Sequence, residues 1–167
     1  MELYWIRHGI AVDRMDLSVK SDEERWLTED GIKKMERASH GFHSLIPSLD
    51  VIFTSPFVRA RQTADIIART FGDVGLVQVL DDLMPGANFD GIQTAIKNQP
   101  SNARIAFVGH EPDFSELIAI LTTGSPRPEI EMKKGSICRI DMKGKFLPGT
   151  GVLVWLLPSK ILRKIEF

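Results

Sequence analysis

The sequence predicts an α/β fold, a three-layer α/β/α sandwich in which helices cover both faces of a mostly parallel, mixed sheet. Three observations carry this expectation. Short apolar runs bounded by turn residues alternate with amphipathic stretches over the first two thirds of the chain. Two of these runs pass straight into a helical pattern through a proline step, at Ser55-Pro56 and again at Glu111-Pro112. The last third changes character and reads as two antiparallel strands. At 167 residues the chain fits a single domain, 1–167, large enough to bury a core without covalent staples.

Leu3 to Gly9 opens the chain with an apolar, aromatic run expected as a buried strand, ending in Arg7-His8-Gly9. Ile10 to Trp26 is rich in Asp, Glu, Arg, Lys and Ser and predicts a surface loop. Thr28 offers an N-cap, and Ile32, Met35, Phe42 and Leu45 then recur at helical spacing up to Pro47. His40 and His43 lie three apart on that helix. A metal could use the spacing, but no third ligand accompanies them, and packing or solvation is expected.

Asp50 to Thr54 reads as the second strand, with Ser55 expected as N-cap and Pro56 at the first helical position. Phe57, Ala60, Ala64, Ile67, Ala68 and Phe71 form one apolar face, ended by Gly72. Arg59 falls in the first turn off that face, while Arg61 and Arg69 lie farther along and are expected in solvent. Gly75 to Leu80 is a third candidate strand, followed by a break at Leu83 to Ala87 and a short helix through Phe89, Ile92 and Ile96. Arg104 to Val108 is the fourth strand, with Gly109-His110 at its end. Phe114, Leu117, Ile118 and Leu121 mark the inner face of the helix after Pro112. A loop from Gly124 to Gly135 leads to strands at Ser136–Met142 and Gly151–Leu157, joined by a turn at Lys143-Gly144-Lys145. The tail to Phe167 is expected as a basic amphipathic turn packing back on the core.

Composition narrows the function. A net charge of −1 leaves no general basic footprint for nucleic acid or a membrane surface, so attraction for an anion must be local. Cys138, the single cysteine, excludes an internal disulfide and a cysteine metal cluster, and should pack as a small apolar residue. With no secretory signal pattern and no apolar stretch of membrane length, a soluble cytoplasmic protein is expected.

The chemistry sits at three strand ends: Arg7-His8, Ser55 with Arg59, and Gly109-His110. In open α/β sheets ligands bind at the carboxyl edge of the strands. Two arginines and two histidines meeting there beside helix N-termini would suit a dianionic phosphoryl group. Singly, either histidine is more often structural than catalytic. The same device at three strand ends lifts the joint reading.

These three stretches resemble the histidine phosphatase superfamily, the phosphoglycerate mutase-like proteins. The carriers are Arg7-His8-Gly9, Ser55-Pro56-Phe57-Val58-Arg59-Ala60-Arg61-Gln62-Thr63, and Val108-Gly109-His110-Glu111-Pro112. The compact length and Leu83-Met84-Pro85-Gly86 are similar to its SixA-type phosphohistidine phosphatase branch. The resemblance makes His8 the nucleophile that takes the phosphoryl group, Arg7 and Arg59 the clamps on its oxygens, and His110 a second pocket histidine donating a hydrogen bond. It implies a metal-independent phosphatase without cofactor, hydrolysing phosphohistidine on a protein substrate, such as a phosphotransfer domain, through a covalent phosphohistidine intermediate. The residues are chemically coherent with that. Nearby arginines keep His8 neutral, and a neutral imidazole is the nucleophile.

One departure stands out. Many superfamily members place a glutamate general acid after the third strand in a Leu-x-Glu pattern, whereas here Leu83-Met84 is followed by Pro85. An alkoxide leaving group needs a proton, but a phosphoramidate releases an imidazole without a strongly placed acid. The departure favours N-phosphorylated substrates. Asp82 and Glu111 are the possible substitutes, against plainer roles as a turn residue and a helix cap. Alternatives are a phosphatase of small phosphate esters or pyrophosphate bonds, a mutase, and an idle phosphate-binding module. A zinc hydrolase is set aside, since His110-Glu111 is not followed by a histidine at Phe114, and there is no nucleotide phosphate loop.

Overall fold

A computed structural model describes residues 1–127 and 129–165. Six strands form one sheet: β1 (Glu2–Arg7), β2 (Val51–Thr54), β3 (Val77–Val79), β4 (Arg104–Gly109), β5 (Ile137–Met142) and β6 (Gly151–Leu157), in the order β3-β2-β4-β1-β5-β6. The first four strands are parallel, and β5 and β6 add antiparallel pairings. Among the described residues five α-helices flank them: α1 (Glu29–Leu45), α2 (Val58–Thr70), α3 (Phe89–Ile96), α4 (Asp113–Thr123) and the single turn α5 (Ser159–Leu162).

The layering follows from the two-residue period of a strand. In β1, Leu3 and Trp5 face a core shared with Ile92 of α3 and Phe114 and Leu117 of α4. Tyr4 and Ile6 face the other way, onto Phe42 of α1, Ala60, Ala64 and Ile67 of α2, and Leu162 of α5. A strand buried on both faces carries no polar alternation, hence the unbroken apolar run Leu3–Ile6. Trp5 stacks on Phe107 at 4.5 Å and meets Phe114 edge-on at 5.2 Å, tying β1, β4 and α4 together. Cys138 is buried in β5, as a small apolar residue would be.

Register places the chemistry. Arg7 in β1 pairs with Gly109 in β4, and Thr54 in β2 pairs with Val108. The backbone N–H groups of His8 and Ser55 extend the ladders, donating to Gly109 O at 3.1 Å and Val108 O at 3.0 Å. Three neighbouring strands thus end level, with His8, Ser55 and His110 one step past their tips.

Several local expectations are corrected. Ser55 is not the cap residue of α2: that helix starts at Val58 with Phe57 at the cap position, and Ser55 Oγ accepts the Phe57 N–H at 3.3 Å while also lying 2.9 Å from His110 Nε2. Pro112 sits at the cap of α4, one residue before its first helical position. The third strand shrinks to Val77–Val79, because Val74–Leu76 winds into a 3-10 turn closed by Asp73, which accepts the Gly75 N–H at 2.7 Å. The β5–β6 connection runs over 143–150 rather than three residues, since Phe146 leaves it to stack on Phe89 at 4.8 Å. Thr28 caps α1 as expected, accepting the Gly31 N–H at 2.9 Å. The tail packs back through the buried Leu162, while Glu166 and Phe167 lie outside the described residues. Among the described residues no helix is long and apolar enough to cross a membrane.

Candidate active site

The four residues singled out at the strand ends come together. His8, Arg59 and His110 are only 6%, 3% and 3% exposed. Arg59 Nε donates to His8 Nε2 at 3.2 Å, and its Nη2 lies 3.4 Å from His110 Nδ1. The two imidazole centroids are 5.3 Å apart. His8 Nδ1 is 2.7 Å from Gly9 O, a carbonyl that can only accept, so Nδ1 carries the proton and Nε2 presents its lone pair to the site. Arg7 Nη1 donates to Met132 O at 2.6 Å, while its Nε is buried without a hydrogen-bond partner. A buried, unpaired guanidinium N–H is costly to keep, and an anion seated there would satisfy it.

Electrostatics keep both histidines neutral. Burial is the main cause, and with Arg59, His110 and Arg7 it pushes the His8 pKa down to about 3, against the opposing hydrogen bond to Gly9. Burial and the Arg59 charge bring His110 down to about 4, with Asp22 opposing. At neutral pH His8 is therefore a free base beside two cations.

The sequence reading missed the shell that holds this arrangement. Segment 10–27 is largely exposed, as a surface loop should be, but it is anchored to the site. An Ala11–Leu27 bridge closes it, and a 3-10 turn at Asp22–Glu24 brings Asp22 onto Arg59. Arg59 Nη1 donates to Asp22 O at 2.6 Å and Nη2 to Asp22 Oδ2 at 2.9 Å. Arg25 and Arg14 hold the other carboxylate oxygen at 2.8 and 2.9 Å. Burial alone would raise the Asp22 pKa, but hydrogen bonds from Arg25 and Arg59 outweigh it and hold it at about 2. Thr63 donates to Arg59 O at 2.8 Å and accepts the Gly9 N–H at 3.1 Å, tying α2 to the turn after His8. Ser55 Oγ lies 2.9 Å from His110 Nε2. Ser55 and Thr63 stood inside a recognisable motif. Asp22 lay in a run of charges where nothing local marked it.

The two substitute acids fare differently. Asp82 lies against Gly91 at the start of α3, in the role of a turn residue. Glu111 is half-buried just before the cap of α4, accepting from Ser115 N at 3.1 Å and Ser115 Oγ at 2.5 Å. Burial raises its pKa against those hydrogen bonds and the attraction of Arg7. Of the two, Glu111 is the one placed within electrostatic reach of the cation cluster. His43 packs edge-on to Phe71 at 4.8 Å, away from the site.

Comparison with known proteins agrees with the geometry. Residues 3–114 match the histidine phosphatase superfamily (branch 1). An uncharacterized protein of Picosynechococcus sp. is 33% identical over 140 residues, 82% of each chain. The phosphohistidine phosphatase SixA of Escherichia coli is 26% identical over 131 residues, 77% of this chain and 78% of that one. The solved structure of the protein histidine phosphatase SixA complexed with tungstate superposes with a TM-score of 0.82, at 21% identity, over 96% of this chain and 98% of that one. With the family match spanning most of the chain, strands β1, β2 and β4 included, this protein belongs to the histidine phosphatase superfamily.

Proposed function

We propose that this protein is a phosphohistidine phosphatase in which His8 accepts the phosphoryl group covalently. The observation that carries the reading is the unprotonated Nε2 of His8, fixed by the Gly9 carbonyl and facing the Arg59 guanidinium inside a buried cluster. A phosphoryl oxygen that takes over the Arg59 Nε–H frees the Nε2 lone pair, and the unpaired Arg7 Nε–H supplies a second donor. His8 Nε2 attacks phosphorus, the substrate P–N bond breaks, and the substrate imidazole leaves with the electron pair. A substrate imidazole protonated on its other nitrogen departs neutral, so no strong general acid is required. Water then attacks the phosphorus, the P–Nε2 bond breaks, and inorganic phosphate and neutral His8 remain.

His110 suits a supporting part. Its Nδ1 now faces Arg59, a pure donor, so the proton sits on Nε2 towards Ser55 Oγ. The Ser55 hydroxyl can instead donate to Nε2. His110 then presents Nδ1–H to a phosphoryl oxygen that displaces the Arg59 contact. The protein substrate and its phosphohistidine are supported by the missing glutamate and by the likeness to SixA.

The test is a panel of phosphohistidine peptide, phosphoserine peptide and sugar phosphates, run with chelator present. The expected outcome is turnover of the phosphohistidine peptide ahead of the esters. Brief exposure should leave an acid-labile, base-stable phosphoryl label on the protein, absent in His8→Ala, with activity down by at least about three orders of magnitude. Normal turnover by His8→Ala, or esters turned over faster than phosphohistidine, would overturn it.

A further inference from the structure

Beside the catalytic cluster, on the face covered by α1 and α5, lies a cleft of about 180 Å³ whose wall includes Gly9, one residue past His8. Its charged lining consists of Lys34 from α1, Lys133 and Lys134 from the loop before β5, and Lys160 and Arg163 from the C-terminal turn, with no carboxylate residue in the lining among the described residues. In a chain of net charge −1, five cations around one cleft are not background. We infer that this cleft docks acidic side chains that flank the phosphorylated residue of a protein substrate, a specificity surface that rests on the phosphatase reading above.

The cleft is joined to the catalytic residues through its own backbone. The loop that carries Lys133 and Lys134 also supplies Met132 O to Arg7, and its Gly135 N–H is shared between Arg7 O and His8 O, each at 3.1 Å. Lys134 feels the same field. Burial, then Arg7, Arg25 and Arg59, lower its pKa, with Asp13 opposing. An anion in the cleft would lie against Gly9, the residue that follows His8.

The form of the cleft favours carboxylates on a polypeptide over the second phosphate of a small metabolite. A phosphate subsite is a compact cradle of arginine forks and backbone N–H groups. Here four of the five cations are lysines, with the Lys133, Lys134 and Lys160 side chains exposed, and they come from three separate segments of the chain. Lys34 already shares its charge with the exposed Asp30 at 2.6 Å, the type of weak, exchangeable pair that an incoming acidic side chain would replace. Arg163 is the fixed member, its Nε donating to Ser159 O at 3.3 Å.

The experiment compares two phosphohistidine peptides, flanked by Asp/Glu or by Asn/Gln, with phosphoramidate as a small donor, on wild type and on Lys133→Glu/Lys160→Glu. These exposed positions leave the catalytic residues untouched. Wild type should favour the acidic peptide by about tenfold in kcat/KM at low salt, as expected for several exposed ion pairs. The preference should fade as salt is raised and vanish in the charge-reversed variant, with phosphoramidate turnover unchanged. Equal use of both peptides by wild type, a preference that survives the double substitution, or inhibition by pyrophosphate that weakens in the variant while peptide preference does not, would overturn the inference. If wild type turned over neither phosphoramidate nor peptide, the phosphatase reading would fail separately. Docking would then be read from fluorescence anisotropy of the acidic peptide, whose binding the variant must weaken.

Discussion

Arg59 is where charge, burial and chemistry meet. Its Nη groups are spoken for by Asp22, which leaves Nε for His8 and so fixes which edge of the guanidinium meets a substrate. A carboxylate inside a cation cluster has two opposite effects, orienting the arginine and weakening the cluster's hold on anions. Asp22→Ala should separate them. The inhibition constant for inorganic phosphate should fall several-fold, because one negative charge is gone, while kcat falls at least about tenfold, because Arg59 is no longer aimed. A buried guanidinium left without its partner should also lower stability by about 1–3 kcal/mol in urea denaturation. Asp22→Asn keeps an acceptor and should restore much of the kcat, but not the original phosphate affinity. Unchanged phosphate inhibition in both variants would show that Asp22 does not tune the site.

At the scale of elements, the ends of helix α1 show how tightly the covering layer is fitted. A Cβ at Gly41 would lie 2.0 Å from Leu162 O in α5, and the contact is with backbone, so it cannot be relieved by a rotamer. Gly41→Ala should push the C-terminal turn off the sheet, expose Leu162, and cost about 1–3 kcal/mol in chemical denaturation with little change in kcat on phosphoramidate. Thr28→Ala, which removes the N-cap at the other end, should cost about 1 kcal/mol. The sequence showed the Thr28 cap plainly because capping is a contact between residues three apart. It showed nothing of Gly41 against Leu162, since a contact across that distance in the chain leaves no local pattern. The same contrast explains the misjudged start of α2. Ser55-Pro56 has the composition of a helix start, but the serine hydroxyl also meets His110, from another strand end, and the helix begins at Val58.

For the molecule as a whole, burying two neutral histidines makes folding pH-dependent. Their pKa values are about 3 and about 4 in the folded protein, against about 6.5 in an unfolded chain. Between these limits the unfolded state binds more protons than the native state, so stability rises with pH. The contribution is complete above about pH 6.5 and is lost as pH falls towards 4 and then 3. Below pH 4 the depressed Asp22 adds a loss of the same sign. The urea midpoint should therefore be level above pH 7 and drop steadily from pH 6 to pH 4, with a shallower drop in a His8→Asn/His110→Asn variant. An identical pH profile in that variant would show that the two histidines are not the acid-sensitive groups.

The sequence by itself determined the order of strands and helices, the layering, and which side chains, Arg7, His8, Arg59 and His110, gather at the strand ends. These are written in local periodicity and in motifs at strand ends. It also showed Pro85 at the position where the family resemblance implies a glutamate. Only the tertiary structure decided that Asp22 folds back onto Arg59, that Ser55 also reaches His110, and that five cations from three separate segments surround one cleft. Those arrangements are pairings between residues far apart in the chain, fixed by sheet order and register, and a linear pattern carries no trace of which distant charges will meet.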